Sequence, residues 1–174
     1  MTQLPKLYDQ SSVLTNGTFQ CRDATKKIAV LLTKEALPLT TKIPTTIPSE
    51  HFLLPATNEE ICHFVQSQTI GTHIFVMAPW DDASEVFDIC IEEGMCEAEI
   101  QIHILGVKKR YVYCMKCYNR KEVALDTTHT PCNCGAHLEI GPFFSALRQG
   151  YIGYPFQPST KSKGVDLYAS SGSD

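Results

Sequence analysis

The sequence predicts an α/β domain with a small parallel sheet, followed by a shorter cysteine-bearing region. Two observations predict the domain: apolar runs of strand length alternate with helix signals, and the order is strand, long loop, helix, strand, helix, strand. A third predicts the second region, because two close pairs of cysteines follow the last of these strands. At 174 residues the chain has the length of one domain with a small appendage.

Three apolar runs are interpreted as the strands of the sheet. Residues 27–32 and 73–77 are continuous apolar runs, which suit strands buried on both faces. Residues 100–104 alternate isoleucine with polar residues, which indicates a strand with one buried face. Between the first two runs, residues 34–55 contain four prolines and are interpreted as a long surface excursion.

Capping signals place the two helices. Thr57 with Glu60 forms the pattern of a capping box, so a helix is predicted after Thr57. Asp82 is interpreted as the N-cap of the second helix, and Asp81 beside it is interpreted as a capping residue, not as a catalytic acid. Gly94 is well placed to end this helix in the left-handed conformation.

Composition divides the chain into four regions. Residues 1–20 are polar and are interpreted as a loosely held arm, and residues 21–106 are the α/β domain. Residues 107–156 contain the cysteine pairs and an aromatic, glycine-rich tail. Residues 157–174 are rich in Ser, Lys and Gly and are predicted to be disordered.

Net charge and cysteine content indicate which partners and which cellular compartment are expected for the protein. The net charge is −4, whereas chains that wrap nucleic acid or anionic membranes are usually net positive. No apolar run approaches the roughly 18 residues that a membrane span needs, and the N-terminus lacks the apolar core of a secretory signal. The eight cysteines are therefore expected to be reduced in the cytoplasm.

Four of the eight cysteines have the spacing of a metal site. They form two pairs on either side of a hairpin-sized gap: Cys114, Cys117, Cys132 and Cys134. Two such pairs can bring four thiolates to one tetrahedral point, which is the arrangement that structural zinc prefers. The sequence therefore predicts a zinc ribbon over residues 107–156.

Other interpretations of the cysteines remain open. The second pair is one residue shorter than the usual spacing, so His129 or His137 is a candidate to replace one sulfur. A disulfide or free thiols would need no metal. Iron is a further alternative, but iron knuckles of this kind are typically followed by glycine, and only Gly135 meets that pattern, since Tyr118 follows the first pair.

The aromatic tail is expected to make contacts beyond the ribbon. A ribbon is too small to bury all the large side chains of residues 141–154, so some must pack on the α/β domain or on another chain. Trp80, at the carboxyl edge of the sheet, is interpreted either as a core aromatic or as a stacking surface. The candidate partner interface comprises Phe143, Phe144, Tyr151, Tyr154 and Trp80.

No catalytic or cofactor-binding residue is predicted. The chain has no G-x-G-x-x-G and no P-loop, so no bound dinucleotide is expected. No carboxylate pair, activated serine or histidine–cysteine dyad follows from the spacing. Basic residues in the ribbon region leave nucleic-acid binding as a second hypothesis: Lys108, Lys109, Arg110, Lys116, Arg120 and Lys121.

Residues 113–153 resemble the C-terminal zinc-ribbon region of the small subunit of dimethylamine monooxygenase. Upstream, residues 73–104 are similar to this family and, more distantly, to the last βαβ unit of ferredoxin-reductase-type NAD modules. The chain departs from the family at Phe143, which stands where the family has histidine, and at Ala78, which stands where the related modules have glycine. The matching positions are Cys114, Cys117, Cys132, Cys134, Gly135, Leu138, Ile140, Phe144, Ser145, Tyr151 and Gly153.

The resemblance implies a subunit of a multi-component oxidoreductase. Such a complex would use NADPH and dioxygen to demethylate dimethylamine to methylamine and formaldehyde. Haem, flavin and an iron–sulfur centre are expected on partner subunits, and this chain is expected to dock them on a surface that zinc holds in shape. The alternative function is a free-standing zinc-ribbon protein that binds nucleic acid or acts as a regulator.

Overall fold

The computed structural model describes residues 4–157, which form two sheets. The predicted disordered tail therefore lies, except for Gln157, outside the described residues. The first sheet has the order β2-β1-β3-β4, and all its strands are parallel. Its elements are β1 (Lys27–Thr33), β2 (Ser49–Leu54), α1 (Asn58–Gln66), β3 (Thr72–Ala78), α2 (Trp80–Glu92) and β4 (Ile100–Ile104), with 3-10 turns at Lys34–Lys42 and Glu97–Glu99. The predicted α/β fold with a parallel sheet is confirmed.

The α/β sheet separates two apolar cores. Alternate residues of β1 and β3, such as Leu31 and Val76, face α1 and α2. Their neighbours, such as Val30 and Phe75, face the opposite side, where the first 3-10 turn and Phe19 cover them. This two-sided burial explains why β1 and β3 are continuous apolar runs in the sequence.

The two helices begin differently, since α1 has a side-chain N-cap and α2 has none. The capping box of α1 is confirmed: the Thr57 N–H donates to Glu60 Oε2 at 2.8 Å, and the Glu60 N–H donates to Thr57 Oγ1 at 3.3 Å. The prediction for α2 is wrong, because its N-cap is Pro79 and Asp82 lies within the first turn. Proline has no N–H to leave unsatisfied, and the earlier start places Trp80 in the core. Gly94 has a φ of +91°, as predicted for the end of this helix.

The segment predicted as a surface excursion contains a strand of the sheet. Strand β2 pairs in parallel with β1, from Ser49 beside Ile28 to Leu54 beside Thr33. This strand lies at the edge of the sheet, and its first three residues (Ser49, Glu50 and His51) are polar and exposed, so it lacks the continuous apolar run of β1 and β3. Leu54 is nevertheless buried in the helix-side core.

The described part of the N-terminal arm, residues 4–20, is packed on the sheet and is not loosely held. Leu7, Val13 and Phe19 are buried, and residues 13–15 run parallel to β4. The Ile102 N–H donates to the Val13 carbonyl oxygen at 2.8 Å, and the Thr15 N–H donates to the Ile102 carbonyl oxygen at 2.8 Å. The arm therefore covers the free edge of β4, an edge that would otherwise be open to pairing with another chain.

The second sheet is mixed and follows the first directly. Its strands are β5 (Arg110–Cys114), β6 (Arg120–Val123), β7 (His129–Pro131), β8 (His137–Ser145) and β9 (Gly150–Phe156), in the order β6-β5-β9-β8-β7. Only β5 and β9 pair in parallel. The sheet encloses a small core around Val112, Leu138 and Tyr151, which also contains Cys114 and Cys132. Within residues 4–157, no helix is long and apolar enough to cross a membrane.

Candidate metal centre

Four cysteine sulfurs converge at one end of the second sheet. Their Sγ atoms, those of Cys114, Cys117, Cys132 and Cys134, all lie within 4.8 Å of one another. The Sγ atoms of Cys114 and Cys134 are 3.9 Å apart, and those of Cys117 and Cys132 are 3.6 Å apart. The structure therefore brings together all four residues that the spacing singles out.

The first pair lies on a tight turn at the end of β5. The Tyr118 N–H donates to the Cys114 carbonyl oxygen at 2.8 Å, and the Lys116 N–H donates to Cys114 Sγ at 3.4 Å. The turn needs a left-handed residue directly after Cys117, and Tyr118 supplies it with a φ of 64°. Left-handed backbone is uncommon for a residue with a Cβ atom, so the turn is strained at this position.

The second pair lies on a shorter turn that also has a left-handed residue directly after its second cysteine, here a glycine. It connects β7 to β8, and the Gly135 N–H donates to the Cys132 carbonyl oxygen at 2.9 Å. Gly135 has a φ of +80°, which glycine adopts without steric cost. The Cys132 N–H donates to the Ala136 carbonyl oxygen at 2.8 Å and closes the turn. The shorter spacing of Cys132 and Cys134 thus still places both sulfurs in the cluster.

The geometry of the cluster fits a tetrahedral ion. Four sulfurs about 2.3 Å from a central ion are about 3.8 Å from one another, which falls between the two distances above. Cys114 and Cys132 are buried, whereas Cys117 and Cys134 are half-buried, so the cluster is closed on its protein side. Among the described residues, neither His129 nor His137 belongs to the converging group. A site with four thiolate ligands is therefore the arrangement that the chain offers.

The pKa values of the cysteines indicate that four thiolates together need a compensating positive charge. Burial opposes ionisation of the Cys114 thiol, but the backbone N–H groups of Cys117 and Lys116 outweigh burial and lower its pKa to about 7. A backbone N–H of Cys134 also favours the Cys132 thiolate, but burial and the neighbouring sulfurs prevail and raise the pKa of Cys132 to about 11. Thiolates this close repel one another, so all four ionise together only when a cation compensates their charge.

The five residues of the candidate partner interface have different environments. Phe143 is 80% exposed and Tyr154 is 54% exposed. Phe144 is half-buried. Trp80 is buried against α2 and the sheet, and Tyr151 is buried in the core of the second sheet, so neither presents its ring to another chain. Phe143 and Tyr154 are therefore the two exposed aromatic side chains of the five.

Two side-chain contacts join the ribbon to the rest of the chain, and one of them involves a residue, Tyr8, that the sequence analysis did not single out. Tyr8, in the N-terminal arm, stacks on Phe144 with ring centroids 4.7 Å apart. Asp81 accepts a hydrogen bond from Lys109 Nζ at 2.7 Å and thereby ties the start of α2 to the segment before β5. No sequence signal pointed to Tyr8, because the arm has no regular apolar pattern around it.

Most basic side chains of the ribbon also have partners within the chain. Lys121 Nζ donates to the Pro131 carbonyl oxygen at 2.8 Å, which links β6 to β7. The guanidinium groups of three arginines lie over tyrosine rings, which is a favourable cation–π geometry. These pairs are Arg110 over Tyr151 at 4.2 Å, Arg120 over Tyr111 at 4.5 Å and Arg148 over Tyr113 at 4.9 Å.

Comparison with known proteins identifies no relative of the chain. Scans of the chain against models of protein families, against curated proteins and against solved structures find no match.

Proposed function

We propose that this chain is a zinc-binding, non-catalytic docking subunit of a multi-component amine monooxygenase that uses NADPH and dioxygen. The observation that supports zinc binding is the convergence of four cysteine sulfurs within 4.8 Å of one another. The assignment to a dimethylamine monooxygenase rests on the resemblance of residues 113–153 to its small subunit. Haem, flavin and an iron–sulfur centre are then carried by partner subunits.

Zinc is the metal that the ligand set favours. Four thiolates leave no open position for water or substrate, which is the hallmark of a structural site and not of a catalytic one. A bound zinc ion would supply cross-linking of the two turns, with Cys114 and Cys117 from one and Cys132 and Cys134 from the other. Iron in the same site would give visible absorbance, whereas zinc is colourless.

Exposed aromatic side chains of the second sheet support a docking role. Phe143 and Tyr154 expose aromatic rings, and exposed aromatic residues are enriched where proteins bind proteins. Within residues 4–157, the four cysteines are the one group of metal-ligand side chains that converges, so a second, catalytic metal has no comparable site there. The cytoplasm is the proposed location, because its reducing poise keeps these thiols available as ligands.

Nucleic-acid binding is less well supported than docking of proteins. The phosphate backbone is bound by basic side chains that are free to face it. Here Lys109 is paired with Asp81, Lys121 is bonded within the sheet, and the three arginines of the ribbon lie over tyrosines of the same chain. A salt-dependent DNA-binding assay would test this alternative directly.

Metal analysis of cysteine variants tests the zinc part of the proposal. Purified protein is expected to contain one zinc per chain, and Cys114→Ser is expected to lose the metal and expose residues after 105 to protease. Cys90→Ser is the matched control, because Cys90 is also buried but lies in the helix-side core. Unchanged metal content and protease resistance in Cys114→Ser would contradict the proposal.

Purification from the native host tests the docking part. A tagged chain is expected to elute with haem-containing and flavin-containing chains. Phe143→Ala is expected to reduce this co-elution, whereas Leu53→Ala removes an exposed apolar side chain from β2, outside the ribbon, and serves as control. Elution of the tagged chain alone, with full zinc content, would contradict the docking role and leave the metal site intact.

A further inference from the structure

The N-terminal arm contacts both halves of the chain. Lys6 Nζ donates to Asp88 Oδ2 of α2 at 2.7 Å, and Leu7 is buried in the helix-side core. Residues 13–15 then pair with β4. The arm is therefore fixed on the α/β domain at two places, and the residues between them are presented to the ribbon.

Tyr8 completes the core of the ribbon. Its ring is nearly parallel to that of Phe144, with an interplanar angle of 12° and centroids 4.7 Å apart. It also meets Tyr151 edge-on at 6.5 Å. Tyr151 belongs to the same apolar core as Cys114 and Cys132, and Tyr8 packs against that core. The core that holds two of the metal ligands is thus closed by a residue from the far end of the sequence.

Polar groups of the arm and of the ribbon also lie at this junction. Burial and the neighbouring Asp9 carboxylate raise the pKa of Tyr151. The Arg110 guanidinium lies over the same ring at 4.2 Å. Asp9 Oδ1, Arg110 Nε and Tyr151 Oη are all buried, and none has a hydrogen-bond partner within residues 4–157.

We propose that the arm is a latch that holds the ribbon on the α/β domain and that it slows metal exchange. The latch closes when the Tyr8 ring stacks on Phe144, because that contact completes a core too small to persist without either metal or added apolar surface. When the ring is removed, the ribbon core opens more often and the sulfurs release their ion faster. The effect on metal rests on the proposed zinc site, but the effect on the ribbon core does not.

The test compares tyrosine variants of the full chain. Zinc release to an excess of a coloured chelator is expected to be about 5–30-fold faster in Tyr8→Ala than in the wild type, the factor that corresponds to about 1–2 kcal/mol. Tyr8→Phe keeps the ring and is expected to match the wild type within about twofold, by the same scale. Tyr154→Ala is the matched control, since Tyr154 lies in the same sheet and is exposed.

Hydrogen exchange separates failure of the latch from failure of the zinc site. Amides of β8 and β9 are expected to exchange faster in Tyr8→Ala than in Tyr154→Ala, with or without metal. Equal exchange and equal zinc release in these two variants would overturn the latch. If purified protein contained no metal but Tyr8→Ala still exchanged faster, the zinc site would be wrong and the latch would stand. Should Tyr8→Ala fail to fold, Tyr8→Leu makes the same comparison with an apolar side chain that cannot stack.

Discussion

Replacing Gly135 by alanine is expected to weaken the metal centre through the backbone alone. Gly135 follows the second cysteine pair with a φ of +80°, and a Cβ atom built there would meet no atom within 4 Å. Steric contact therefore adds nothing, and the cost is that of left-handed backbone, about 1–2 kcal/mol. Alanine also lowers the conformational entropy of the unfolded chain, which stabilises the folded state by about 0.4–1 kcal/mol. The expected net loss of folding free energy in this turn is about 1 kcal/mol, which is roughly a fivefold loss of metal affinity if the turn forms when the metal binds.

Competition with a chelator of known zinc affinity measures this loss. Gly94→Ala is the matched control, because Gly94 has a φ of +91° and its added Cβ would also meet no atom within 4 Å. Gly94 follows α2, outside the ribbon, so its replacement is expected to lower Tm by about 2–4 °C and to leave metal affinity unchanged. If Gly135→Ala changed metal affinity no more than Gly94→Ala does, the left-handed turn would not be part of the metal centre.

Three further predictions concern groups outside the metal centre. In the folded protein Cys90 should resist a thiol reagent that modifies the exposed Cys21 at once, because Cys90 is buried and burial raises its pKa to about 12; mass spectrometry of the modified protein checks this. Gln101→Ala should lower the free energy of unfolding in urea by about 1–3 kcal/mol, since the Gln101 side chain bonds both backbone groups of Gln20 at 2.8 Å and its loss leaves them unpaired. Burial lowers the pKa of His73, so the unfolded chain binds a proton at this imidazole more tightly than the folded protein does, and stability should fall as pH drops below about 6.5. His73→Phe should therefore make the unfolding midpoint less sensitive to pH in that range, and an unchanged dependence of the midpoint on pH would contradict the role of His73.

Elements that are buried on both sides could be predicted from the sequence. The apolar runs of β1 and β3 and the capping box at Thr57 depend on residues close together in the chain, so local pattern is sufficient. The four cysteines were likewise predictable, because chelation needs particular side chains at short spacing. The turn after Cys134 needed Gly135, and the sequence supplies it.

Elements that depend on distant contacts could not be predicted. Strand β2 begins with three polar, exposed residues, and it becomes a strand by pairing with β1. Gln101 is buried although it alternates with isoleucine, because the arm lies over β4 and satisfies its amide. The start of α2 at Trp80 depends on the core that the indole fills, which outweighs the capping preference of Asp82. Tyr8 carries no local pattern, and its place against Phe144, 136 positions further along the chain, is set by the fold of the residues between them.

X-ray absorption at the zinc edge of the purified protein tests the four-sulfur centre most directly. We expect one ion per chain, surrounded by four sulfur atoms at about 2.3 Å and by no nitrogen or oxygen. A protein without metal, or a first shell that contains a histidine nitrogen or a water oxygen, would contradict the closed site that Cys114, Cys117, Cys132 and Cys134 form.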